Sequence, residues 1–155
     1  MARPLAVSCS GSRTPTSVTR GARPGARSSS TYSTSRPCMT ASGRAMLAAL
    51  PAPNVRALFP GPSAFVLRTD RGPRTLRELR ALLSEVRQRG YATEDGDVTP
   101  GLRSVAAAVL DHAGHPEAGV ALTFPAREAG DADIARFAVL VMRAAAAISR
   151  RLGGT

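Results

Sequence analysis

The sequence predicts an α+β fold in which helices pack on one small antiparallel sheet. Residues 75–90 and 131–154 carry apolar side chains at helical spacing, and residues 102–124 contain two apolar stretches separated by a turn at Gly114. A chain of 155 residues is long enough for one domain with a buried core. Helices that flank a β-hairpin bury its apolar face by packing on it as a second layer.

The first part of the chain is expected to be disordered. Residues 1–37 consist mainly of Ser, Thr, Arg, Pro and Gly, and their few apolar residues follow neither a helical nor a strand period. Such a segment buries too little apolar surface to offset the entropy that is lost on ordering. We therefore expect a disordered segment at residues 1–37 and one folded domain at residues 38–155.

Positive charge is concentrated in the first half of the chain. The formal net charge is +10, yet residues 1–69 hold nine Arg and no carboxylate, whereas residues 70–155 hold twelve Arg and eleven Asp or Glu. Basic segments often bind nucleic acid, so binding through residues 1–69 stays open as an alternative function. Cys9 and Cys38 are too few for a disulfide framework. No apolar stretch has the length of a membrane span or a signal-peptide core, which favours a cytoplasmic protein with no membrane partner.

Two short helices are expected at the start of the folded domain. Ser42 can cap a helix over residues 44–50, which Pro51 stops. A second short helix is expected over residues 54–59. Residues 64–67 fit a short strand and a helix equally well.

The strongest helical pattern begins after Thr75. Thr75 can cap this helix, Glu78 completes the spacing of a capping box, and Gly90 is a helix stop. The apolar residues fall at steps of three and four along one face, as a helix that packs on a core requires. They are Leu76, Leu79, Leu82, Leu83 and Val86.

The second half of the chain predicts three strands and a long helix. A short strand at residues 91–93 leads into an acidic loop, and longer strands at residues 102–110 and 118–124 form a hairpin that the short strand can join. Asp131 and Asp133 favour a helix start, because carboxylates stabilise the positive end of the helix dipole. The apolar stripe of this helix is Ile134, Phe137, Ala138, Val141, Ala145, Ile148 and Leu152.

Patterns for catalysis or metal binding are weak. Asp111, His112 and His115 lie in the hairpin turn with no fourth ligand nearby, so we expect a solvated turn and no metal site. The acidic loop at residues 94–97 lacks the spacing of a calcium-binding loop. Ser42 has no nearby base and no nucleophile-elbow motif surrounds it. We therefore predict no catalytic residue, no cofactor and no enzyme.

The chain resembles, in three segments, the carboxy-terminal effector-binding domain of IclR-type bacterial transcriptional regulators. These segments are TASGRAMLAALP at residues 40–51, LRELRALLSEVRQRGYATEDGDVTPGLRSVAAAV at residues 76–109, and AAAAISRRLGG at residues 144–154. The resemblance implies a GAF-like fold with a mixed, largely antiparallel sheet flanked by helices. It also implies a small-molecule effector, an organic acid or an aromatic compound, and oligomers formed through these domains. DNA would be contacted only indirectly, through a separate winged helix-turn-helix.

Seven residues would line the effector pocket if the family pattern is carried over by position. They are Ala41, Ser42, Glu94, Leu102, Ser104, Ala121 and Thr123. Strand geometry is consistent with this set, because residues two apart on a strand point to the same face. Backbone N–H groups at the start of the first helix can also meet a carboxylate.

The chain departs from the family pattern before Thr40. No paired amphipathic helices there indicate a winged helix-turn-helix, and residues 21–38 are rich in Arg, Ser and Pro where the family has an apolar, strand-forming stretch. We expect residues 1–37 to come from a frameshift or a misplaced start, so that the domain is a truncated regulator. A ligand-free remnant that pairs with a full-length regulator is a further alternative.

Overall fold

The architecture combines four α-helices with four strands over the residues that the computed structural model describes, 7–10 and 37–153. The elements in chain order are β1 (Val7–Ser10), α1 (Ala41–Ala49), α2 (Ala52–Leu58), α3 (Leu76–Arg89), β2 (Ala92–Asp95), β3 (Leu102–Leu110), β4 (Pro116–Pro125) and α4 (Asp131–Arg151). Two short 3₁₀ turns, Pro62–Ala64 and Ala126–Glu128, follow α2 and β4.

The strands form one antiparallel sheet in the order β1-β4-β3-β2. The predicted hairpin is present as β3 and β4, and the predicted short strand joins it as β2. The α+β class and the small antiparallel sheet are therefore confirmed.

The sheet is covered on both faces because alternate residues of β3 face opposite sides. Val105, Ala107 and Val109 belong to the core that α4 closes. Ala106 belongs to the other core, which α1, α2 and α3 close. The result is a sheet between two helical layers, with α1 lying across β3 and β4.

Helix α3 begins and ends where the sequence predicts. Thr75 Oγ1 accepts a hydrogen bond from the Glu78 N–H at 3.2 Å, and Gly90 adopts the left-handed conformation with φ of 82° that ends the helix. Only half of the predicted capping box forms, because the Glu78 carboxylate accepts from the N–H of Arg74 at 2.8 Å.

The start of α1 differs from the prediction. Thr40, not Ser42, is the cap: its backbone is extended and its Oγ1 accepts from the Gly43 N–H at 3.0 Å. Both residues carry the hydroxyl that a cap requires, and the helix begins early enough to take Ser42 into its first turn. Residues 64–67 form neither a strand nor an α-helix, since the 3₁₀ turn ends at Ala64 and irregular chain follows.

The predicted apolar stripe of α4 is wrong at its last member. Leu152 is 48% exposed because the helix ends at Arg151 and the chain then leaves the helical direction. Ser149 is buried instead, and its Oγ accepts from the Leu110 N–H at 2.9 Å. Within residues 37–153, α4 and the other helices lack the combination of length and apolar composition that would span a bilayer.

Four residues of the segment expected to be disordered form a strand. Strand β1 pairs with β4 from Val7 opposite Leu122 to Ser10 opposite Gly119. The amino-acid composition does not predict this strand, because the pairing uses backbone groups at the open edge of β4 and side-chain patterns do not report such groups. The rest of residues 1–36 lies outside the described residues, and so do the expected frameshift origin and the corresponding part of the proposed basic nucleic-acid-binding segment, residues 1–69.

Candidate ligand-binding site

Three polar side chains form a row across the sheet on the face that carries α1. Glu94 of β2 is opposite Ser104 of β3, which is opposite Thr123 of β4. Ser104 Oγ lies 2.8 Å from Glu94 Oε1 and 3.0 Å from Thr123 Oγ1. Strand register therefore brings together three residues that are separated by up to 29 positions in the sequence.

The hydrogen bonds of this row have one direction. A carboxylate oxygen accepts, so Ser104 donates its only hydroxyl proton to Glu94. Thr123 must then donate to Ser104. Among the described residues no other group donates to Thr123 Oγ1, so the row offers a hydrogen-bond acceptor at its β4 end.

A buried ion pair holds the loop after β2 in place, next to Glu94. The second carboxylate oxygen of Glu94 accepts from the Asp97 N–H at 3.1 Å, and the Asp97 carboxylate forms a salt bridge with Arg44 of α1. Arg44 also donates from Nε to the Cys38 carbonyl at 2.8 Å and from Nη1 to the Thr93 carbonyl at 2.9 Å. The loop after β2 is thereby attached to α1 and to the chain that enters it.

The three carboxylates of the acidic loop have different partners. Glu94 joins the polar row and Asp97 pairs with Arg44, whereas Asp95 is exposed and lies 3.5 Å from Arg103 Nε and 3.7 Å from Arg71 Nη1. Among the residues described, no three His, Cys, Asp or Glu side chains converge as metal ligands do.

The start of α1 lies close to the sheet beside the polar row. A helix leaves its first N–H groups without partners inside the helix, and here the hydroxyl of Thr40 takes only that of Gly43. Close approach requires Gly119 on β4, since a Cβ atom there would lie 2.7 Å from Ser42 Cβ. Ala121 of β4 is also small, and space remains between the helix start and the row.

A cavity of about 190 Å³ opens between the start of α1, the loop after β2 and the polar row. All seven residues that the family resemblance assigns to a pocket line it. They are Ala41, Ser42, Glu94, Leu102, Ser104, Ala121 and Thr123. The structure thus brings the whole predicted set together around one cavity.

Three further lining residues were missed by the sequence analysis: Thr40, Val98 and Thr99. Thr40 could have been found from its hydroxyl, which is a cap candidate adjacent to Ala41. Val98 and Thr99 lie in a loop without periodicity, and no sequence signal indicates which way they face.

The hairpin turn that carries both histidines is organised by Asp111. Its Oδ1 accepts from the N–H groups of His115 and Ala113, each at 2.8 Å. The His115 N–H is the main cause that lowers the pKa of the Asp111 carboxyl; desolvation opposes it, and the Ala113 N–H and the two imidazoles add to it. This turn is therefore held by a local carboxylate, at the far end of the hairpin from the cavity.

Comparison with known proteins identifies the domain. The family model for the bacterial transcriptional regulator IclR C-terminal region matches residues 27–150. The chain belongs to the IclR family. The match begins inside the segment that we expected to precede the domain.

Relatives of this IclR-type domain are similar in sequence and in fold. The E. coli HTH-type transcriptional regulator XynR is 32% identical over 117 residues, which cover 74% of this chain and 45% of XynR. The E. coli transcriptional repressor IclR is 31% identical, covering 72% and 40%. The crystal structure of the Agobacterium tumefaciens repressor BlcR superposes with a TM-score of 0.69 at 34% identity, covering 76% of this chain and 47% of BlcR.

The match corresponds to one part of these regulators, since the chain spans less than half the length of the curated relatives it matches. The crystallised C-terminal domain of E. coli KdgR superposes with a TM-score of 0.69 at 26% identity and is covered over 71% of its length. These superpositions confirm the GAF-like fold expected from the resemblance.

The similar proteins are transcriptional regulators and not enzymes.

Proposed function

We propose that the domain binds a small organic acid as the effector-binding part of an IclR-type transcriptional regulator, and that it contacts DNA only indirectly. One observation carries the proposal: an oriented polar row and the start of a helix both line one cavity. Ligand sites of this kind are concave and mostly apolar, with a few convergent polar groups.

The two polar features call for different ligand groups. Backbone N–H groups at the start of α1 favour a carboxylate, through both hydrogen bonds and the helix dipole. Thr123 accepts, so it favours a hydroxyl group on the ligand. Both carboxylate oxygens of Glu94 already accept hydrogen bonds from the protein, so Glu94 does not need a donor from the ligand.

The size of the cavity favours an aliphatic acid over an aromatic one. At about 190 Å³ it is smaller than the roughly 300–1,000 Å³ that is typical of small-molecule sites. We therefore expect a short aliphatic acid to fit more readily than an aromatic acid.

The test is a calorimetric and thermal-shift titration with short aliphatic acids, each with and without a hydroxyl group. A ligand at 100 times its Kd stabilises the folded domain by about 2.7 kcal/mol. Ser104→Trp fills the cavity and should abolish binding, whereas Ser84→Trp, on the exposed face of α3, should not.

A second variant protects this test against a misfolded Ser104→Trp. Thr123→Val keeps the shape and removes the acceptor, so it should weaken the hydroxylated acid about tenfold and leave the unsubstituted acid unchanged. A stabilising acid that binds equally well to both cavity variants would contradict the proposal, and so would the absence of any binding acid.

We also propose that copies of the domain associate through the outer face of α4. Val139 and Leu140 are adjacent there and are 42% and 52% exposed. Pairing with a full-length regulator would use the same face. Sedimentation equilibrium should show Leu140→Glu weakening self-association at least about tenfold, while Ala81→Glu on exposed α3 should not. A wild-type chain that stays monomeric would contradict this role.

A further inference from the structure

A second cavity, of about 510 Å³, lies between the segment after α2 and the start of α3. Its lining shares no residue with the first cavity. The lining residues are Arg56, Phe59, Pro60, Gly61, Pro62, Phe65, Arg74, Thr75 and Leu76. From this lining we infer that the domain has a second binding site, for a planar aromatic carboxylate.

The floor of the second cavity is aromatic and held in place. Phe59 and Phe65 are stacked with ring centroids 5.0 Å apart and an angle of 28° between planes. Phe59 is buried in the core, and Phe65 is half-buried with part of its surface accessible. Pro60 and Pro62 restrict the backbone between the rings, so the stacked pair exists before a ligand arrives. Such a surface accepts another ring by offset or edge-to-face stacking.

The rim of the second cavity is positively charged. Arg56 and Arg74 are both exposed there, and within residues 37–153 neither guanidinium takes part in a salt bridge. Arg74 donates from Nη2 to the Asp70 carbonyl at 3.0 Å, which orients its guanidinium without neutralising it. None of the described residues that line the cavity is a carboxylate, and the nearby carboxylate of Glu78 accepts from the Arg74 N–H.

These features select one class of ligand. Two guanidinium groups recognise a carboxylate through paired, charge-assisted hydrogen bonds. The stacked phenyl rings add affinity for a flat aromatic body, and the volume lies within the range of about 300–1,000 Å³ typical of small-molecule sites. The ligand therefore places its ring against Phe65 and its carboxylate between Arg56 and Arg74.

The experiment titrates the full chain with 2-naphthoate, followed by NMR chemical shifts and calorimetry. We expect one saturable site, with nuclear Overhauser contacts from the naphthoate ring to the rings of Phe59 and Phe65. The neutral analogue 2-naphthalenemethanol should bind at least about tenfold more weakly, because it lacks the charge that the rim recognises.

Paired variants separate this site from general attraction to a basic surface. The double variant Arg56→Gln, Arg74→Gln should weaken naphthoate binding at least about tenfold. The control Arg77→Gln, Arg80→Gln removes the same charge from exposed positions of α3 and should change binding less than about twofold. Ser104→Trp, which fills the first cavity, should leave naphthoate binding unchanged.

Three results would overturn the inference. Equal weakening by the two double variants would indicate unspecific charge attraction. Loss of binding in a Ser104→Trp variant whose NMR spectrum shows a folded domain would place naphthoate in the first cavity. Shifts that do not saturate, or that are absent from Phe59 and Phe65, would show that no second site exists. These measurements do not require a ligand in the first cavity. They therefore remain valid if the proposal for the first cavity is wrong.

Discussion

A Cβ atom added to Gly119 of β4 would lie 2.7 Å from the Cβ of Ser42 in the first turn of α1. Because Gly119 has no side chain, the start of α1 can approach the sheet this closely. The same approach limits the depth of the cavity beside it. The backbone of Ser42 is also near, with its Cα at 3.2 Å and its carbonyl oxygen at 3.3 Å from the added atom.

Gly119→Ala is expected to lower the free energy of unfolding by about 1–3 kcal/mol, because overpacking forces the helix away from the sheet. Urea denaturation measures this change. Gly61→Ala is the control, since its added Cβ meets no atom within 4 Å and should change stability by less than about 0.5 kcal/mol.

A double variant tests the pairing of Ser42 with Gly119 directly. Ser42→Gly removes the closest atom, so the loss from Gly119→Ala should be smaller in that background than in the wild type. Equal losses in the two backgrounds would show that the side chain of Ser42 does not limit the approach.

Asp97→Ala is expected to destabilise the domain by about 3–5 kcal/mol, because it leaves the charge of Arg44 buried without a partner. Arg44 is only 3% exposed and Asp97 only 6%. Glu128→Ala removes a carboxylate from an exposed pair with Arg127 and should cost less than about 1 kcal/mol. Denaturant unfolding of both variants makes the comparison, and similar costs would mean that the buried pair is solvated in solution.

The site could be predicted from sequence where strand register and family pattern agree. Alternation along each strand is enough to place Leu102 with Ser104, and Ala121 with Thr123, on one face of their strands. The family resemblance then assigns both pairs and Glu94 to one pocket. The cap of α1 was misassigned because Thr40 and Ser42 carry the same functional group two positions apart. Only the extended backbone of Thr40 distinguishes them.

The rest depends on contacts between distant segments. No periodicity indicates that Arg44 and Asp97 meet, since they are 53 positions apart. The pairing of Phe59 with Phe65 depends on the turn between two prolines, and residues 64–67 had no decisive pattern. Strand β1 forms through backbone groups at the edge of β4, which the composition of residues 1–37 could not reveal.

The hairpin turn predicts a pH dependence. The pKa of Asp111 is lowered below its ordinary value near 3.8, chiefly by the His115 N–H, so the folded state favours the carboxylate form. Its contribution to stability is therefore present above that ordinary value and is lost as the pH falls through the lower, folded pKa.

Carbon-detected NMR titration of the Asp111 carboxyl measures this shift. Asp111→Asn keeps an oxygen that can accept from His115 and Ala113 but does not titrate, so its stability should fall less steeply between about pH 5 and pH 2 than that of the wild type. A titration midpoint at or above 3.8 would contradict the prediction.

Ser149→Ala is expected to lower the free energy of unfolding by about 1–3 kcal/mol, although Ser149 lies in an apolar stripe where Ala is the better helix former. The reason is the N–H of Leu110 at the end of β3, which donates to Ser149 Oγ at 2.9 Å and would lose this acceptor in a partly buried environment. Leu152→Ala removes a larger apolar side chain but should cost less, because Leu152 is 48% exposed. Amide hydrogen exchange provides the decisive readout: in Ser149→Ala the Leu110 amide should exchange faster relative to the Val109 amide, and an unchanged ratio would mean that the hydroxyl does not hold the strand end to α4.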